Sequence, residues 1–102
     1  MIRHCVFVKF RADISEADKQ AVYNQLNDLR DVITGVLAAP FGPNISPEGK
    51  NRGYDDGFIM DFADQSVRDA YLVHPQHREA GKALVSLLEG GRDGLMVFDL
   101  TV

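Results

Sequence analysis

The chain has 102 residues, 45% hydrophobic and 25% charged, the composition of one globular domain (residues 1–102) that can build a core without disulfides or metal. Eleven Lys and Arg against fifteen Asp and Glu leave a net charge of −4, which lacks the basic footprint of a nucleic-acid or anionic-membrane binder, so neither is expected as a partner. The single cysteine, Cys5, forbids an internal disulfide and a cysteine zinc site, and points to the cytoplasm.

Residues 2–10 alternate as a strand does, with Ile2, His4, Val6, Val8 and Phe10 on one face and Arg3, Cys5, Phe7 and Lys9 on the other. This apolar opening is too short for a signal-peptide core, and no run approaches the roughly 18 apolar residues of a membrane span. Ser15 offers a helix N-cap with Asp18 at N3, and Val22, Leu26, Leu29 and Ile33 follow at helical spacing until Gly35. Residues 36–41 read as a short second strand. Residues 42–53 are turn chemistry throughout and predict a long, mobile loop, whose length suits a lid or an arm to a second protomer. Alternation resumes over 54–62 as a third strand. Asp64 or Ser66 can cap a short helix carrying Val67, Ala70 and Tyr71. Pro75 suits the first position of another helix, on which His77, Ala80, Gly81, Leu84 and Leu88 share a face until Gly90 and Gly91 break it. Residues 95–102 form the last strand, with Leu95, Val97, Asp99 and Thr101 opposite Met96, Phe98, Leu100 and Val102.

The order is βαββαβ with the second helix broken in two. It predicts an α+β, ferredoxin-like protomer with a four-stranded antiparallel sheet and its helices on one face. The last strand is apolar on both sides, and the first places Cys5 and Phe7 on its second side. A sheet face that apolar is expected to be covered, and a homodimer packed sheet to sheet covers it through a self-complementary surface.

Several motifs recur in order. They are Ile2-Arg3-His4-Cys5-Val6-Phe7-Val8-Lys9-Phe10, then Gly42-Pro43-Asn44, Ser46 with Glu48-Gly49, and Gly53-Tyr54-Asp55. Tyr71-Leu72-Val73-His74-Pro75-Gln76-His77 and Val97-Phe98-Asp99 complete the set. Together they resemble the stress-responsive A/B-barrel (Dabb, dimeric α+β barrel) family over essentially the whole chain. The resemblance implies a ferredoxin-like protomer and a dimeric barrel, but no single reaction. One plant branch of the family consists of polyketide cyclases that use neither metal nor organic cofactor. By that resemblance the catalytic His falls on His77, its partner Tyr on Tyr71, the opening-strand His on His4, and the carboxylate that orients the catalytic His on Asp99.

The residues themselves admit that chemistry. His77 falls in the first turn of its helix on the face of Leu84, and Asp99 falls on the helix-facing side of the last strand. A carboxylate favours charged imidazole and a helix N-terminus favours the neutral form, so a base near neutrality is expected. Tyr71 can donate to a carbonyl oxygen. His4, Val6, Val8, Val22, Leu26, Phe58, Met60, Leu84 and Val97 are the expected pocket walls, suited to a small apolar or aromatic carbonyl compound. Each residue also has a structural reading: His77 as a brace at the helix entry, Tyr71 as core, His4 as a satisfied strand residue. Asp99, among apolar neighbours, demands a partner, and His77 is the candidate. His74 and His77 have no third ligand and are separated by Pro75, which disfavours zinc. The functional expectation is therefore a cofactor-independent cyclase, isomerase or lyase acting on a carbonyl compound. The alternative is a stress-related binding or structural homodimer without turnover. Val22, Gln25 and Leu26 stand where the plant cyclases carry an aromatic-rich helix, which sets this pocket apart from theirs.

Overall fold

The computed structural model describes all residues, Met1–Val102. Alternation in the opening segment produces β1, Ile2–Val8. Its central place is set by two antiparallel ladders. His4 lies opposite Met60 of β4 (Asp56–Phe62) on one side and opposite Asp99 of β5 (Leu95–Thr101) on the other. The edge beyond β4 is built by β2, Val36–Ala38, and β3, Phe41–Pro43, both antiparallel to β4. The sheet order β2-β4-β1-β5 is that of a ferredoxin-like fold.

The single second strand expected over 36–41 is two strands, so the sheet has five rather than four. Ala39 and Pro40 separate them: the register slips between Val36 and Ala38, and Pro40 has no N–H to give a ladder. Its carbonyl still accepts from the Ile59 N–H at 2.9 Å, which keeps both halves on β4. The 42–53 segment is stitched rather than loose: the Asn44 N–H donates to the Asp55 carbonyl at 2.7 Å, and Asn51 Nδ2 donates to Asp55 Oδ1 at 2.7 Å.

The helices cover one face. Ser15 caps α1, Glu16–Asn27, accepting from the Asp18 N–H at 3.1 Å. The expected continuous helix to Ile33 breaks at Asp28, and a single turn, α2 (Leu29–Val32), follows. Asp64, rather than Ser66, caps α3, Gln65–Val73, through the Val67 N–H. Pro75 opens α4, Pro75–Val85, with the preceding His74 as its cap. A 3-10 turn, Gly91–Gly94, leads into β5. One core joins Val8, Val22, Leu26, Leu29, Phe58, Met60, Phe62, Tyr71 and Leu84 between sheet and helices. No helix is long and apolar enough to cross a membrane.

The opposite face of the sheet carries no helix. There Met96, Phe98 and Leu100 of β5 stand exposed, paired in the ladder with Phe7, Cys5 and Arg3 of β1 respectively.

Candidate functional site

The ladder between β1 and β5 places His4 directly opposite Asp99 on the helix-facing side. Directly opposed side chains on one face are close enough to bond, and here the His4 Nδ1–H donates to Asp99 Oδ1 at 2.6 Å. The other carboxylate oxygen accepts from Arg68 Nη1 of α3 at 2.8 Å. Burial pushes the Asp99 carboxyl up, but the bonds from His4 and Arg68 outweigh it and hold the group below the ordinary carboxylate range.

This corrects one expectation. Both oxygens of Asp99 are occupied by His4 and Arg68, so Asp99 is not the orienter of His77. The reason is register. A cross-strand neighbour sits opposite Asp99, whereas His77 stands on α4 with a different acceptor close by. The His77 Nδ1–H donates to the Leu72 carbonyl at 3.3 Å. That carbonyl lies in the last turn of α3, where helix carbonyls lack intrahelical partners. The Pro75 break between α3 and α4 is what lets the imidazole fold back onto it.

Because a carbonyl only accepts, this bond puts the proton of a neutral His77 on Nδ1 and leaves the Nε2 lone pair available. Burial is the main influence on His77 and lowers its pKa; the Leu72 carbonyl opposes this, while His4, Arg78 and His74 add to it. The neutral, basic form is thus favoured without a carboxylate.

Tyr71 is fully buried on α3. Its ring lies 4.1 Å from that of His77, 5.0 Å from Phe62 and 5.8 Å from His4, centroid to centroid. Its hydroxyl has no hydrogen-bond partner. Burial pushes the phenol's pKa far up, so it remains a protonated donor. A buried donor without an acceptor costs roughly 1–3 kcal/mol, and such a group calls for an explanation.

His4, Tyr71 and His77 converge on a cavity of about 760 Å³ between α1, α4 and the sheet. Of the expected walls, Val6, Leu26, Phe58, Leu84 and Val97 line it together with His4. Val8, Val22 and Met60 do not: they are packed into the core, with Val8 and Met60 fully buried. Asp99 does not line the cavity either; it backs His4 from behind. Sequence reasoning missed Arg68, Arg78, Lys82 and Arg92, the last three of which reach the cavity. The demand of Asp99 for a partner was the available signal for Arg68, but nothing in its spacing singled it out.

The stress-responsive A/B barrel domain model matches residues 2–102. The chain belongs to this family. It is 33% identical to a dimeric ferredoxin-like protein of unknown function from Jannaschia sp. CCS1, covering 99% of this chain and 98% of that one, with a TM-score of 0.91. It is also 25% identical to olivetolic acid cyclase of Cannabis sativa over 100 residues, 98% of this chain and 95% of the cyclase. The hydroxynitrile lyase of Passiflora edulis shares the A/B-barrel fold at a TM-score of 0.85 and 16% identity, covering 99% of this chain and 92% of the lyase. The expected ferredoxin-like A/B-barrel protomer is therefore established for this chain.

Proposed function

We propose that this A/B-barrel domain takes a small apolar or aromatic carbonyl compound into the cavity beside His77 and performs cofactor-independent proton chemistry on it. The reaction class is cyclase, isomerase or lyase. His77 Nε2 removes a proton from the carbon next to the carbonyl, and the Tyr71 hydroxyl donates to the oxygen on which enolate charge develops. The observation that carries this reading is the unpartnered, fully buried Tyr71 hydroxyl packed on an imidazole whose Nδ1 is already bonded. A ligand oxygen supplies the acceptor that the protein withholds. Asp99 acts as a positioning residue: it fixes His4 in the cavity wall and is itself anchored by Arg68. The names of the cyclase and lyase relatives support the reaction class.

The working unit in this reading is a cytoplasmic homodimer formed sheet to sheet. The exposed Met96, Phe98 and Leu100 support it, as do relatives described as dimeric. An apolar surface of that kind is the ordinary mark of an interaction face.

The test is hydrogen–deuterium exchange at the α-carbon of simple aryl methyl ketones in D₂O, followed by NMR. Exchange above the buffer rate that disappears in His77→Gln supports the reading. Binding of the ketone without any catalysed exchange favours the non-catalytic binding homodimer instead. Exchange unaffected by His77→Gln removes His77 from the role of base.

A further inference from the structure

We infer that the ligand of this cavity is an anion: an apolar or aromatic body bearing an oxyanion head group, carboxylate or phosphate, gripped at the rim by Arg78 and Arg92. This rests on the small-molecule reading above and adds a charge to it.

The protein is acidic overall, with a net charge of −4, yet the cavity is not. Arg78, Lys82 and Arg92 line it, and no Asp or Glu does. Arg78 and Lys82 stand one turn apart on α4, and so share a helix face. Arg92 arrives from a separate element, the 3-10 turn before β5. Two elements therefore aim cations at one opening.

Neighbouring acids do not neutralise the two arginines. Glu79 sits 3.8 Å from Lys82, with both side chains largely exposed. Glu89 precedes the Arg92 turn and Asp93 lies within it, next to Arg92, but neither forms an ion pair. Arg3, Arg11 and Arg68 each hold a carboxylate, whereas Arg30, Arg52, Arg78 and Arg92 hold none within 4.0 Å; of these four, Arg78 and Arg92 line this cavity. A guanidinium presents a planar fork of donors matched to carboxylate or phosphate oxygens, and charge-assisted bonds of this kind are stronger than neutral ones.

The rest of the lining is suited to the other end of such a molecule. Val6, Leu26, Phe58, Leu84 and Val97 are apolar, and His77 lines the same cavity directly before Arg78 on α4. An amphiphilic anion with its head at the rim thereby brings its apolar body past His77 and Tyr71.

The inference is tested by calorimetric titration of the whole protein with three matched probes: 4-butylbenzoate, 4-butylphenyl phosphate and the neutral 4-butylbenzyl alcohol. At least one anion is expected to bind about tenfold more tightly than the alcohol at low ionic strength. That advantage shrinks as salt is added, and whichever anion binds better identifies the head group. In an R78Q/R92Q double variant the anions are expected to bind no better than the alcohol. R92Q alone, on an exposed turn, gives a partial loss and serves if the double variant folds poorly. Equal binding of all three probes by the wild type overturns the anion inference and leaves the small-molecule cavity standing. An anion preference that survives both substitutions overturns the assignment to these arginines. Failure of every probe to bind, the alcohol included, overturns the cavity reading and this inference together.

Discussion

His4 Nδ1 and Asp99 Oδ1 lie 2.6 Å apart across the β1–β5 ladder, and Arg68 holds the other oxygen of the same carboxylate. The triad ties two strands to α3 on the one face where chemistry is proposed. Asp99→Asn is expected to destabilise the fold by about 1–3 kcal/mol at pH 7, the cost of leaving a half-buried charge partner unanswered. The folded carboxyl lies below its ordinary range. Its contribution is therefore complete above the unfolded value of about 3.9 and is lost as pH falls through the folded value beneath it. Chemical denaturation of both proteins at neutral and acid pH checks this, and the gap between them should close toward acid pH.

The same substitution is expected to leave the titration of His77 in place. Asp99 does not appear among the influences on that ring, which are burial first, then the Leu72 carbonyl, His4, Arg78 and His74. NMR titration of the ring protons in wild type and Asp99→Asn reads this directly. The midpoint is expected below the ordinary imidazole value of about 6.5 in both. The sign for stability follows. With the folded value depressed, the unfolded chain binds the proton more readily, so this contribution is complete above about 6.5 and declines as pH falls from there to the folded midpoint. For the proposed activity, the acid limb should track the His77 midpoint, and basic catalysis should extend below pH 6.5.

The fold was legible because hydrophobic alternation and caps are local signals. Ile2 to Val8, Ser15, Pro75 and the 95–101 strand fell where the pattern placed them. The misses were tertiary or involved backbone irregularity. Pro40 split an apolar run because a missing N–H matters only once a ladder exists. Asp28 ended α1 with no glycine or proline to announce it. In the site, the need of Asp99 for a partner was readable from its apolar neighbours, but its identity was not. A cross-strand register and a helix that returns over the sheet determined that the partners are His4 and Arg68. The cavity-lining role of Arg78, Lys82 and Arg92 was hidden for a related reason: exposed cations on a helix face look like ordinary solvation until the opposing element is in place.

Tyr71→Phe separates stability from function. The hydroxyl is buried and has no partner, so its removal relieves a desolvated donor without losing a protein hydrogen bond. The fold is expected to be unchanged or stabilised by up to about 1–2 kcal/mol. The proposed exchange activity is expected to fall by roughly 100-fold or more, the usual scale for losing a donor to a developing oxyanion. Thermal and urea unfolding read the first effect and ketone exchange the second. A variant that loses stability would mean that the hydroxyl is satisfied within the fold.

Phe98→Asp addresses the assembly. Phe98 is 58% exposed on the helix-free sheet face, where it lies opposite Cys5 in the ladder and next to Met96 and Leu100 on the same side of β5. Its replacement changes little within the protomer, since few of its contacts are internal. Across a two-fold sheet-to-sheet interface the introduced charge appears twice, facing apolar surface, and a buried unpaired carboxylate costs several kcal/mol. Sedimentation equilibrium is expected to give twice the 11.3 kDa chain mass for the wild type and a single chain for the variant. The protomer fold, followed by circular dichroism, should be retained in both. A wild type that sediments as one chain would overturn the homodimer, and a variant that remains dimeric would place the interface elsewhere. The exposed row of Met96, Phe98 and Leu100 would then need a different cover.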